Sequence, residues 1–310
     1  MEENFLIESL RENLKKAVEK NKVEGLLFSG GIDSSILAFL CPTAEAITVC
    51  LEHSGEDLNY AKRLASYLNI KHHCFLISVE EALNAIPRVI GILKTFDPAI
   101  PNDITVYFGL KFAKEKGMRS VMTGDGSDEL FAGYSYMQSI RDLDGYIRKI
   151  SSSLFFTSNV FSNFFKIDII QPYLQREFVN FSLEIPVEFK IREDKGKLVG
   201  KWILRKAFEN FLPEDIIWQN KRPLEQGSGT AKLRKIINSK ISDDEFDKAK
   251  KDLPVRFINK EHFYYYKIYR EKIGEIPSPL PDEDVCPGCG AGIKKGSFHC
   301  RVCGWAKKLF

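Results

Sequence analysis

Two short segments gather the groups that could hold and cleave a phosphate chain. The first, Ser29-Gly30-Gly31-Ile32-Asp33-Ser34, follows an apolar run at 25–28 and leads into Ser35-Ile36-Leu37. Glycines let backbone N–H groups approach an anion with no Cβ in the way, and a helix N-terminus adds unpaired donors and partial positive charge. The serine hydroxyls supply further donors. Asp33 would repel a bare phosphate, so a carboxylate here calls for magnesium between the two; as a plain helix cap it would need none. The order strand, Ser-Gly-Gly, Asp-Ser, helix favours the nucleotide reading. The second segment, VMTGDGSDELFAGY at 121–134, reads as a strand end, a glycine turn and a helix start carrying Asp125, Asp128 and Glu129. Capping by Ser127 or Asp128 and a favourable helix dipole would explain these acids structurally. The alternating oxygen ligands of an EF-hand are missing. As functional groups, Asp128 would stand opposite Asp33 across a crevice, both on one magnesium–pyrophosphate.

A third cluster lies near the C-terminus. Cys286, Cys289, Cys300 and Cys303 are spaced C-x2-C-x10-C-x2-C, with Gly290 and Gly304 following the two knuckles. Four thiolates satisfy tetrahedral zinc, and the metal would supply the folding energy that so short a segment lacks. A redox dithiol is the alternative. Cys41, Cys50 and Cys74 are scattered among apolar residues and read as free, buried thiols. His72 and His73 are adjacent on a candidate strand, so their side chains point to opposite faces and are taken as structural.

The elements that must position these groups follow from the apolar pattern. Between 24 and 130, the β-rich runs GLLFS, EAITVCL, HCFLIS and SVMTG alternate with helical stretches such as EDLNYAKRLASYLN. That alternation predicts an α/β fold, a parallel sheet with ligands at the carboxyl ends of its strands. From about 137 to 272, helical spacing dominates, as in LVGKWILRKAFENFL and FYYYKIYREKI. Then GEIPSPLPDED breaks regular structure. The boundaries expected are therefore 1–136 for the α/β domain, 137–275 for a helical subdomain, 276–284 for a linker and 285–310 for a small zinc ribbon.

Composition narrows the class. The chain has 310 residues, 44% apolar and 28% charged, with a net charge of +3. Such a balance implies neither nucleic acid nor membrane as an obligatory partner. No apolar run approaches the roughly 20 residues that span a bilayer, and the N-terminus reads as an amphipathic helix rather than a signal peptide. The expected location is cytoplasmic.

On these segments the chain resembles the PP-loop ATP pyrophosphatases, which cleave ATP between its α and β phosphates, and within them the synthetase domain of the asparagine synthetases. The residues that carry the likeness are SGGIDS at 29–34, GDGSDELFAGY at 124–134, EDLNYAKRLASYLNIKHH, IIQPYLQREFVNFSLEIP, and KWILRKAFENFLPEDIIWQNKRPLEQGSG, together spanning about 23–240. The resemblance implies an adenine nucleotide alpha hydrolase-like fold and an AMP-forming ligase using ATP and Mg2+. Ser29, Gly30, Gly31, Asp33 and Ser34 match its pyrophosphate loop. Leu27, Val49, Thr123 and Gly124 match positions lining the adenosine pocket. Asp33 and Asp128 match the magnesium carboxylates. Asp125 stands where many members have glutamate and would orient substrate or proton transfer. Lys221 matches the lysine that stabilises charge during adenylation; without the likeness it reads as a solvated lysine, and Tyr134 as packing.

Two departures bear on function. Only 28 residues precede Ser29, which leaves no room for the N-terminal glutaminase of the full-length synthetases, so the enzyme is expected to take free ammonia, to receive it from a separate amidotransferase, or to use another nucleophile. The tail adds Zn2+, and its Lys294, Lys295, Arg301, Lys307 and Lys308, with no acid between 285 and 310, either contact RNA or a protein or merely solubilise it. The leading expectation is adenylation of a small carboxylate, aspartate first, followed by transfer of ammonia. The alternative is a PP-loop tRNA-modifying enzyme of the thiolase type, although Cys41, Cys50 and Cys74 form no C-x-x-C pair. A non-catalytic nucleotide-binding module is disfavoured by the intact Asp33, Asp128 and Lys221.

Overall fold

A computed structural model describes residues 3–194 and 196–307. Five strands, β1 (Gly25–Leu27), β2 (Glu45–Leu51), β3 (His72–Ile77), β4 (Ser120–Met122) and β5 (Asp168–Ile170), form one sheet in the order β3-β2-β1-β4-β5. β1 pairs in parallel with β2 and with β4, and β4 with β5. The order therefore reverses between β1 and β4. A crevice opens at such a reversal beyond the carboxyl ends of the two strands, which is where ligands bind in open α/β sheets.

Helix α1 (Glu3–Glu19) buries Leu6, Leu10, Leu14, Ala17 and Val18, spaced at three and four residues along one face. These meet Leu26 and Phe28 of the first strand region, Ile36 and Leu37 of α2 (Ile32–Leu40), and Ile203, Leu204 and Phe208 of the helix Trp202–Phe208. Burying each such side chain contributes about 1.5–3 kcal/mol, so the glycine turn between β1 and α2 stands on a packed core. α3 (Asp57–Tyr67) follows β2. α4 (Val79–Leu93) starts with a reciprocal Ser78–Glu81 capping box, which satisfies two backbone donors at once.

The chain divides into two compact units that do not follow the boundaries read from sequence. The first comprises 1–49, 56–75 and 109–223; the second comprises 50–55, 76–108 and 224–310. The stretch 137–275 is also less uniformly helical than its pattern suggests. It contributes β5 and a hairpin, β6 (Ile191–Asp194) with β7 (Lys197–Gly200), so LVGK is strand and turn and the helix begins only at Trp202. The cysteine segment belongs to the second unit and is hydrogen-bonded into it: Phe96 N donates to Val302 O at 2.8 Å, and His299 Nε2 lies 2.9 Å from Asp97 Oδ2. Its hairpin, β8 (Glu283–Val285) with β9 (Gly292–Lys294), starts inside the stretch read as linker. Of the basic tail, Lys308 lies outside the described residues.

Candidate active site

The first unit carries the loop. β1 and Phe28 end in Ser29, and Gly30 turns the chain with φ +70°. A Cβ there would lie 2.7 Å from the Ala61 nitrogen and 2.9 Å from the Tyr60 carbonyl carbon, so the loop packs backbone to backbone on α3 and only glycine fits. Gly31 precedes α2 without any side-chain cap, which leaves the first N–H groups of that helix available to an anion. The hydroxyls brace the turn: Gly31 N donates to Ser29 Oγ at 3.2 Å, Ser29 N to Ser34 Oγ at 3.2 Å, and Ser35 Oγ to Gly31 O at 2.7 Å.

Asp33, on the first turn of α2, and Asp128, on the turn after β4, share one cation, and it is a protein side chain. Lys201 Nζ lies 2.7 and 2.6 Å from Asp33 Oδ1 and Oδ2, and 2.7 Å from Asp128 Oδ1. Its side chain is 1% exposed. Asp33 Oδ1 also accepts from Ser127 Oγ at 2.6 Å. Asp128 Oδ2 accepts from Lys221 Nζ. Burial alone would raise the Asp128 carboxyl, but Lys201 and Lys221 outweigh it and hold it below the ordinary value. Burial would likewise lower the Lys221 ammonium, and Asp128 and Asp33 reverse that, so it stays charged.

Other contacts fix the segment that delivers Lys221. Gln219 Nε2 donates to Gly30 O at 3.0 Å, tying this segment to the loop itself. Arg205 donates to the carbonyls of Ile217 and Gln219. Arg222 places its guanidinium 4.1 Å from the Tyr60 ring centroid and donates to Asp57 Oδ1 at 3.2 Å. Lys221 Nζ is 5.8 Å from the Tyr134 ring centroid, while the Tyr134 hydroxyl donates to Glu129 Oε1 at 2.8 Å. Burial, with Asp128 nearby, pushes the Glu129 carboxyl up.

The structure brings Ser29, Gly30, Gly31, Asp33, Ser34, Asp128 and Lys221 together, and Gly124 joins them: a Cβ on it would lie 3.0 Å from Asp33 Cβ. Leu27 and Val49 form an apolar pair over Gly109, whose Cβ would meet Leu27 Cδ2 at 2.8 Å and Val49 Cγ2 at 3.7 Å. Thr123 and Asp125 are bonded to each other instead. Asp125 Oδ2 accepts from Thr123 Oγ1 at 2.7 Å, Ser158 Oγ at 2.6 Å and Gln171 Nε2 at 2.9 Å. Sequence reasoning missed Lys201, Ser127 and Gln219. Their signal was faint: a lysine directly after Gly200 and before an apolar run, and a serine inside the acidic motif.

His72 and His73 take separate partners, Thr48 Oγ1 at 2.8 Å and Glu45 Oε2 at 2.7 Å, as their structural reading expects. In the second unit, the sulfurs of Cys286, Cys289, Cys300 and Cys303 all lie within 4.8 Å of one another and are buried. Cys286–Cys303 and Cys289–Cys300 are 3.7 and 3.9 Å apart. That is too far for a disulfide, at about 2.05 Å. It matches the roughly 3.8 Å edge of a tetrahedron with 2.3 Å metal–sulfur bonds. The set fits one tetrahedral ion.

The asparagine synthase family model matches residues 6–166 and 154–274. The chain belongs to the asparagine synthase family. Membership accounts for the PP-loop α/β fold and implies ATP use. A probable glutamine-hydrolysing asparagine synthetase of Dictyostelium discoideum is 28% identical over 86% of this chain and 55% of its own length. The glutamine-hydrolysing asparagine synthetase of Zea mays is 29% identical over 84% of this chain and 50% of its own. The chain thus spans about half the length of the curated relatives it matches. Among solved structures, a U34-tRNA thiolase of Methanococcus maripaludis with its [4Fe-4S] cluster overlaps 99% of this chain and 90% of its own at 14% identity; its TM-score of 0.37 is too low to bear on function. Among the described residues, no helix is long and apolar enough to cross a membrane.

Proposed function

We propose that the protein is an ATP-dependent, AMP-forming carbon–nitrogen ligase that adenylates a small carboxylate, aspartate first, and passes ammonia to it. The observation that carries this reading is the meeting of Asp33 and Asp128 around one cation, at the mouth of the glycine loop, with Lys221 on the same carboxylate. The pair fits magnesium. Asp128 Oδ1 is buried and receives no well-directed hydrogen bond, although Lys201 stands at ion-pair distance, so a lone pair is left for a hard cation. When bound, magnesium would offset the charge of the phosphate chain. The four sulfurs fit zinc, a structural ion in this reading.

The chain's own residues then divide the work. Gly30, Gly31 and the start of α2 hold the β and γ phosphates through N–H groups, with Ser29 and Ser34 as further donors. Leu27 and Val49 offer an apolar wall to the adenine, with Thr123 and Gly124 beside the ribose. The substrate carboxylate attacks the α-phosphorus and pyrophosphate leaves. Lys221 compensates the charge that grows on the phosphates, an electrostatic contribution available without reorganisation because Asp128 already orients it. Ammonia then attacks the acyl carbon and AMP departs. Asp125, held by three donors, orients the acceptor side.

An acceptor screen tests the reading. With ATP and magnesium, aspartate plus ammonium should release AMP and pyrophosphate. Stimulation by bulk tRNA and by no amino acid would instead favour RNA modification, and formation of ADP and phosphate alone would exclude attack at the α-phosphorus.

A further inference from the structure

The point between Asp33 and Asp128 is already filled by Lys201, and the fold is shaped to keep it there. Gly200 lets the chain pass the Ala132 carbonyl, where a Cβ would come within 2.2 Å of the oxygen. Gly133 clears the side chain: a Cβ on it would lie 2.4 Å from Lys201 Cε and 2.0 Å from Asp128 Oδ1. Lys201 itself takes a left-handed backbone, φ +57°, unfavourable for a residue with a side chain, and is pinned by its N–H donating to Phe131 O at 2.8 Å. Its ammonium, 1% exposed on a left-handed residue, is compensated by the two carboxylates it contacts.

We propose that Lys201 is an internal counter-ion that occupies the divalent-cation position between Asp33 and Asp128 when no nucleotide is bound, so that the site accepts metal only together with polyphosphate. The inference rests on reading this pair as the magnesium–nucleotide site. Charge balance supplies the reason. Asp33 and Asp128 are matched by Lys201 and Lys221, so a divalent ion arriving alone must expel a buried ammonium and leave it without a partner. A triphosphate arriving with the metal brings the anionic oxygens that pair the displaced lysine again. Metal and nucleotide therefore enter as a unit.

Manganese, which shares the preference of magnesium for oxygen ligands, is the probe, with free ion counted by electron paramagnetic resonance on zinc-loaded protein. Without nucleotide, the natural protein should bind Mn2+ only weakly, and a non-hydrolysable ATP analogue should create a tight site. Lys201→Gln should bind Mn2+ without nucleotide roughly a thousandfold more tightly than the natural protein, the scale of a single unit-charge pair about 4 Å apart at an effective dielectric of about 20. Lys201→Arg should stay weak, and Asp33→Asn added to Lys201→Gln should abolish the gain. Tight Mn2+ binding by the natural protein without nucleotide overturns the proposal, as does a folded Lys201→Gln that gains nothing. Should Lys201→Gln not fold, the comparison with and without the analogue still decides. None of these readings uses turnover, so failure of the ligase reading and failure of this inference are told apart.

Discussion

Asp57 offers a test in which the structure dictates an unusual sign. It sits at the start of α3, 5% exposed, with Arg222 Nη2 at 3.2 Å. Burial pushes its carboxyl up to about 6; Arg222 and Lys221 pull the other way but do not win, and Glu56 adds to the rise. An unfolded aspartate titrates near 3.9, so between about pH 4 and 6 the folded chain binds the proton more tightly. Stability from this group is greatest below pH 4 and is lost as pH rises through 6, by about 3 kcal/mol for a gap of roughly two pH units. Asp57→Asn keeps the shape and an acceptor for Arg222 without the buried charge. The variant should be more stable by ~1.5 kcal/mol near pH 5, rising to ~3 kcal/mol at pH 7.5. Urea denaturation of both proteins at the two pH values measures it. A variant that is less stable at both, or whose gain does not grow with pH, would show that the Arg222 pair outweighs burial.

Removing the Lys221 charge, as Lys221→Met, should lower pyrophosphate release by about 10²–10³ at saturating ATP while leaving ATP affinity within about threefold, because the loop and α2 still hold the phosphates. Gly30→Ala should weaken ATP binding in titration calorimetry, since the left-handed turn costs about 1–2 kcal/mol and the new methyl meets the α3 backbone. Cys300→Ser should lose the bound metal in elemental analysis and lower the melting temperature, with ATP still bound, because the glycine loop lies in the other unit.

What could be seen in the sequence was whatever depends on neighbours along the chain. β1 to β4 were visible as apolar runs bounded by turn residues, and the acidic motifs and cysteine spacing announced themselves. β5 was not, because Asp168-Ile169-Ile170 is too short for any periodicity and becomes a strand only by pairing with β4. The hairpin β6–β7 was hidden because helical spacing ran on through Gly200 and Lys201, and nothing local marks Lys201 as left-handed. Its role depends on Asp33, 168 positions away. The compact units are cut differently from the expected segments: composition changes near 137, whereas packing assigns 76–108 and 224–310 to one body. The cysteine segment likewise reads as an appendage until Val302 and His299 are seen bonded to Phe96 and Asp97.

If a carboxylate oxygen of the acceptor attacks the α-phosphorus of ATP, that oxygen ends up in AMP. Aspartate labelled with 18O in its side-chain carboxyl, turned over with ATP, magnesium and ammonium, puts this directly to mass spectrometry of the AMP formed. Each AMP should carry one labelled oxygen, and the pyrophosphate none. AMP without label, formed at the rate of amide product, would contradict that attack.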